Sequence, residues 1–151
     1  MNWSEILWRN IEVLIRLELA FQDSIEHIKS IDVSNLKTFR EYEPVDAFFD
    51  RFERIIDNLF QSTFRTLYEI ENLSSPLSLM DLSSFIVNIK IVDNIEKLIE
   101  LKDLRNKIAH EYIWLGIYQT EEFINQVNNY KDDLFQIIEN VKTYSWKYLK
   151  D

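Results

Sequence analysis

At 151 residues the chain has the size of one domain, long enough to bury roughly 68–70% of its unfolded surface. Its 46% hydrophobic content, with ten Phe, seven Tyr and four Trp, excludes a disordered chain, and one Gly with two Pro leaves too few turn formers for a sheet. The absence of Cys excludes disulfides, thiolate nucleophiles and Cys-held metals, and the net charge of −9 weighs against a general nucleic-acid-binding surface.

These bounds point to a single all-α domain spanning 1–151. A cytoplasmic protein is expected, because residues 1–19 carry Glu5, Arg9, Glu12, Arg16 and Glu18 and do not read as a signal peptide. No uncharged run reaches the ~18–20 residues of a membrane span, so no membrane partner is expected.

The first helix is predicted over 2–28. Leu7, Ile11, Leu14, Leu17, Phe21, Ile25 and Ile28 recur at three–four spacing and form its core stripe. Trp3, Ile6, Trp8, Val13 and Ala20 widen the apolar surface beyond one core face, which leaves area for another subunit. Residues 31–43 show no sustained period and read as a connection with room for one short turn.

Pro44 suits the first turn of a second helix, with Asp46 favourable to its dipole. This helix runs to about Glu71. Phe48, Phe52, Ile55 and Leu59 make one stripe, and Phe49, Ile56, Phe60, Phe64 and Leu67 a second beside it, so the helix is central. Residues 72–77 are a break. Ser78 with Asp81 resembles a capping pair for a short helix to about Val87. After an interruption at 88–92, Asp93 with Glu96 marks the start of a long helix to about Leu115, where Gly116 suits a helix-ending left-handed residue. Thr120 is the expected cap of the last helix, whose stripe is Phe123, Val127, Tyr130, Leu134, Ile137, Val141, Tyr144 and Tyr148. The expectation is an up-and-down bundle of four long helices and one short one.

The stretch 101–112, LKDLRNKIAHEY, is where chemistry is expected. At 100° per residue Leu101, Leu104, Ile108, Tyr112 and Leu115 form a core stripe. Lys102, Asn106, Ala109, His110 and Ile113 fall on a second side, with Arg105 on the border. Arg105 and His110 point well apart, so one helix makes a poor site. A twofold axis would bring Arg105, Asn106 and His110 from two copies together, and the small Ala109 would let a second backbone approach.

The run from Arg105 to Tyr112 has the form R-x4-H-x-Y and resembles the signature of the HEPN domain, in particular the HepT toxins of HEPN/MNT toxin–antitoxin modules. The segment VDAFFDRFERIIDNLFQSTFRTLYEIE resembles the second helix of that family. The resemblance implies a helical bundle that forms a homodimer through the motif helix, and a metal-independent ribonuclease needing no cofactor. It implies Arg105 and His110 as the catalytic pair, with Asn106 as their polar companion. It further implies a small nucleotidyltransferase partner that neutralises the toxin by attaching AMP to Tyr112.

The chemistry is consistent with those residue types. An imidazole with a reference pKa near ~6.5 can take a proton from a ribose 2′-hydroxyl and return one. A guanidinium suits non-bridging phosphate oxygens and the charge that develops at phosphorus. The expected product is a 2′,3′-cyclic phosphate. AMP on Tyr112 would place negative charge and bulk at the cleft and repel RNA.

Blander readings stand beside these. A non-catalytic binding module that partners a nucleotidyltransferase fits the acidity, and a purely structural dimerisation domain needs no site at all. His27 reads as a solvated residue near a helix end. Arg51 and Arg54, with Asp50 and Glu53, read as a solvated salt-bridging face; the minority reading lends their charge to an RNA cleft. Asp132 and Asp133 read as a solvated face. Trp114 and Trp146 read as core or interface.

Overall fold

The computed structural model describes residues 2–112 and 117–149. Among them there is no strand. The helices are α1 (Trp3–Ile28), α2 (Phe39–Asn58), α3 (Phe64–Asn72), α4 (Leu79–Asn88), α5 (Ile95–Glu111) and α6 (Ile117–Leu149). A π-helical turn, Leu59–Thr63, joins α2 to α3 without a break, so 39–72 is one long element. Four long helices and the short α4 therefore make up the bundle, as the periodicity predicts.

Side-chain contacts establish the topology. Asn58 Nδ2 donates to the Asn10 carbonyl, while Arg51 donates to the Ala20 carbonyl and to Ser24 Oγ, so α1 and α2 are antiparallel. Tyr112 reaches Asp46 and Arg105 reaches Asp57, which sets α5 antiparallel to α2. Tyr130 donates to Glu100, and Lys97 pairs with Asp133, so α6 returns antiparallel to α5. Ser4 Oγ donates to the Tyr148 carbonyl and closes α6 onto α1.

Both stripes of the second helix are buried, as befits a central element. Phe48, Phe49, Phe52, Ile55, Ile56, Leu59, Phe60, Phe64 and Leu67 are all in the core. Phe21 of α1 stacks at a tilt against Phe48 and Phe52, and against Phe135 of α6. On α1, Leu17 is only half-buried and Ser24 takes a buried place. Trp8 and Val13 are half-exposed, which leaves α1 the surplus apolar surface expected of it.

Several boundaries differ from the sequence reading. The second helix begins at Phe39, five residues before Pro44, because Thr38 and Glu41 form a reciprocal capping box inside the stretch that lacked a period. Pro44 lies within the helix. Its missing N–H would have bonded the Arg40 carbonyl, and Arg40 is exposed, so water can satisfy that group. The connection before it holds a single 3₁₀ turn, Val33–Asn35.

α5 is capped by Asn94, whose side chain accepts from the Lys97 amide; Asp93 instead pairs with the Lys97 ammonium. Ser78 caps α4 through the Asp81 amide, as expected. Thr120 is not the cap of α6. The helix already runs from Ile117, and Thr120 is a buried residue within it. The expected contributions of Ile113, Trp114, Leu115 and Gly116 lie outside the described residues. Trp146 is 59% exposed and is not a core residue.

With one glycine in the chain, left-handed corners fall to other residues. Leu73 ends α3 at φ 56° and Lys90 follows α4 at φ 66°. A side chain there costs on the order of 1 kcal/mol relative to glycine. The Leu73 amide offsets part of this by closing onto the Glu69 carbonyl.

Candidate functional site

The core stripe of α5 is Leu98, Leu101, Leu104 and Ile108, all buried. That stripe fixes the helix rotation, and rotation decides where the motif residues go. Lys102 and Asn106 are half-buried beside it, and Ala109 and His110 are exposed. The Lys102 ammonium lies 5.6 Å over the Phe60 ring.

Arg105 does not extend into solvent. It turns toward α2, where Nε donates to Asp57 Oδ1 at 2.8 Å and Nη2 to Oδ2 at 2.9 Å. The two side chains are 24% and 28% exposed. A bidentate pair at this depth is stronger than an ordinary surface ion pair. The hydrogen bonds to Asp57 raise the guanidinium pKa further, so Arg105 is a permanent cation. Glu53, one turn before Asp57, adds attraction. Burial pushes the Glu53 carboxyl above its ordinary value, and Arg105 pulls it part of the way back.

Tyr112 lies at the C-terminal end of α5. Its ring meets Phe49 edge-on at 4.6 Å between centroids, and its hydroxyl donates to Asp46 Oδ1 at 2.5 Å. Burial first, and the bond to Asp46 second, hold the phenol far above its ordinary pKa. Tyr112 is thus neutral, half-buried, and fixed in direction by a carboxylate.

His110 is exposed in the last turn of α5. Neither His110 nor Asn106 makes a side-chain hydrogen bond or ion pair to another described residue. Five residues of helix separate Arg105 from His110, a rotation of roughly 140° between the two side-chain directions. The described chain therefore brings Arg105 and Tyr112 to one seam with α2 and leaves His110 outside it.

Asp46, Phe49, Glu53 and Asp57 were not singled out from sequence as site residues. Their spacing on α2 was the available signal, since 46, 53 and 57 recur at seven and four and mark one helical face. The salt-bridging reading of this helix grouped Glu53 with Arg51 and Arg54, whereas the structure divides them. Arg51 faces α1, bonding Ala20 and Ser24 and pairing with Asp23, so it does not reach the motif helix. Arg54 pairs with Asp50 and lines a shallow groove with Val13, Leu17 and Asp57.

Elsewhere on α5, a cleft of about 670 Å³ opens toward α6, lined by Glu100, Asp103, Lys107, Gln126 and Tyr130 among others. No group of three or more His, Cys, Asp or Glu suited to a metal occurs among the described residues. His27 is exposed near the end of α1. Asp132 is exposed, and Asp133 pairs with Lys97. No helix of the described residues is long and apolar enough to cross a membrane. Compared with protein-family models, curated proteins and solved structures, the chain gives no match.

Proposed function

We propose that the chain is the ribonuclease toxin of a HEPN/MNT-type toxin–antitoxin pair, acting as a homodimer through α5. The observation that carries this reading is the pair Arg105 and His110 on one solvent-reaching helix, the arginine held rigid and the histidine unengaged. One copy does not converge them. A second copy, related by a twofold axis along the Asn106–Ala109–His110 edge, supplies the missing half.

In that cleft the His110 imidazole accepts the ribose 2′-OH proton as the 2′ oxygen attacks phosphorus. The bond from phosphorus to the 5′ oxygen breaks, and an imidazolium returns a proton to that leaving oxygen. Arg105 stabilises the charge that builds on the non-bridging oxygens. Asn106 supplies a further hydrogen bond to the substrate. The products are a 2′,3′-cyclic phosphate and a 5′-hydroxyl. No metal or cofactor enters these steps.

Neutralisation falls to a nucleotidyltransferase partner. The Tyr112 oxygen attacks the α-phosphorus of a nucleoside triphosphate held by that partner. A phosphorus–oxygen bond forms, pyrophosphate leaves, and the phenolic proton passes to Asp46. The added AMP breaks the Tyr112–Asp46 hydrogen bond and places a phosphate two helical turns from Arg105, where it repels RNA.

The second reading is a non-catalytic module that presents a surface to the nucleotidyltransferase. The acidic surroundings favour it: Asp46, Glu53 and Asp57 all border the motif, and the chain carries a net −9. The two readings separate in one experiment. Purified protein is sized by sedimentation, then incubated with single-stranded RNA, with its 2′-O-methyl counterpart and with DNA. A dimer that cuts only the RNA and leaves cyclic phosphate ends supports the toxin. A strictly monomeric protein, or cutting of DNA at a comparable rate, refutes the mechanism. A dimer that leaves every substrate whole supports the binding module.

A further inference from the structure

A guanidinium has two edges able to grip an oxyanion with paired N–H donors. In Arg105 one edge, Nε with Nη2, is fully engaged by the two oxygens of Asp57. The other edge, Nη1 with the second hydrogen of Nη2, makes no hydrogen bond to another described residue, and the side chain is 24% exposed. The engaged edge is turned to Asp57 of α2, and the second edge lies about 120° round the guanidinium plane from it.

We infer that Asp57 is a positioning residue: it holds the plane of the Arg105 guanidinium so that the free Nη1/Nη2 edge is presented to an RNA phosphodiester. The inference rests on the ribonuclease reading above. Its physical basis is entropy and geometry. A free arginine must give up rotamer freedom to meet the charge that builds at phosphorus in the transition state, and a pre-ordered one has already done so. The anchor is itself immobile, because Asp57 lies on the central helix between the buried Ile56 and Leu59.

An alternative role is a latch, in which Asp57 withholds Arg105 from RNA. The geometry argues against it, since a carboxylate on one edge leaves the other able to form a full bidentate contact. The two roles also predict opposite kinetics. Losing the Asp57 charge makes the cleft less negative, so a positioning role predicts RNA binding as tight as before or tighter, with slower cleavage. A latch predicts that both improve.

The test uses the full chain and a fluorescent single-stranded oligoribonucleotide for cleavage, with the same oligonucleotide 2′-O-methylated for binding. Asp57→Asn should lower kcat by roughly 10- to 100-fold. Its Kd for the methylated probe should stay equal or tighten. Asp57→Glu, which keeps the charge and lengthens the reach, should recover part of kcat and carries the test if Asp57→Asn does not fold. Asp133→Asn, which breaks the Lys97–Asp133 ion pair at the other end of α5, should leave both quantities unchanged. Wild-type or faster turnover in Asp57→Asn overturns the inference, as does an equal loss in Asp133→Asn. A wild-type chain that cuts no RNA removes the ribonuclease reading and this role with it; an active wild type with an indifferent Asp57→Asn removes the role alone.

Discussion

The two edges of α5 are built differently. Along the edge facing α2, Arg105 and Tyr112 each carry a carboxylate partner, Asp57 and Asp46, and Tyr112 has an aromatic floor in Phe49. Along the other edge, Asn106 is half-buried, and Ala109 and His110 are exposed without a side-chain partner in the described chain. Ordering a polar side chain costs conformational entropy, and here folding covers that cost for one edge only. The pinned edge needs nothing further to hold its geometry. The open edge is set by whatever docks on it, and the proposed dimer fills that role.

The largest effect should come from the open edge. His110→Ala should lower RNA cleavage by about 100- to 10,000-fold, the range for loss of a general acid–base group, with little change in thermal stability. A variant that loses stability while keeping activity would reverse the contrast between the edges. Conversely, Phe49→Ala should destabilise the fold by about 3–5 kcal/mol in chemical denaturation, because Phe49 is fully buried and supports Tyr112 as well as Phe48. A loss below about 1 kcal/mol would mean that the floor of the pinned edge does not depend on it.

A smaller effect tests the hydrogen bond itself. Asp46→Ala should cost about 0.5–1.5 kcal/mol and bring the Tyr112 phenol down toward its ordinary pKa. Tyrosine absorbance during alkaline titration reads this directly. Tyr112 and Tyr144 should be among the last to ionise, with Tyr148 pushed up to about 12 by burial and by Glu71. Since these folded-state values lie above the unfolded one near ~10, their contribution to stability is present below that pH and lost as pH rises through the raised values.

The smallest effect concerns Glu53. Burial raises its carboxyl, so its contribution to stability is present below the ordinary carboxylate range and lost as pH rises through the raised value. Glu53→Gln should therefore raise the melting temperature by a few degrees near pH 7, with the gain shrinking toward pH 4. A drop at pH 7 would show that the attraction of Arg105 outweighs burial, and that Glu53 belongs with Asp57 as an anchor.

The bundle was legible because helix periodicity is a local, redundant signal. Seven spaced residues mark the α1 stripe, and one misplaced residue does not erase it. The caps were less legible, since each rests on a single hydrogen bond. Thr38–Glu41 was hidden in a stretch with no period, and Asn94 competed with its neighbour Asp93, which is also a good cap. The π turn at Leu59–Thr63 left no mark in the apolar pattern, because Leu59 and Phe60 within it and Phe64 after it all stay buried. Asn58, Thr63 and Asn10 hold it by hydrogen bonds that only the packed helices bring together.

By itself the sequence determined the helical class, the count of long elements, and which polar residues α5 carries beside its core stripe, because all three follow from composition and the repeat of a single helix. The tertiary structure decided which of those residues are held. It paired Arg105 with Asp57 and Tyr112 with Asp46 across 48 and 66 residues of chain, and it turned Arg51 away toward α1. Such pairings depend on the rotation and offset of two packed helices, which the periodicity of either helix alone does not contain.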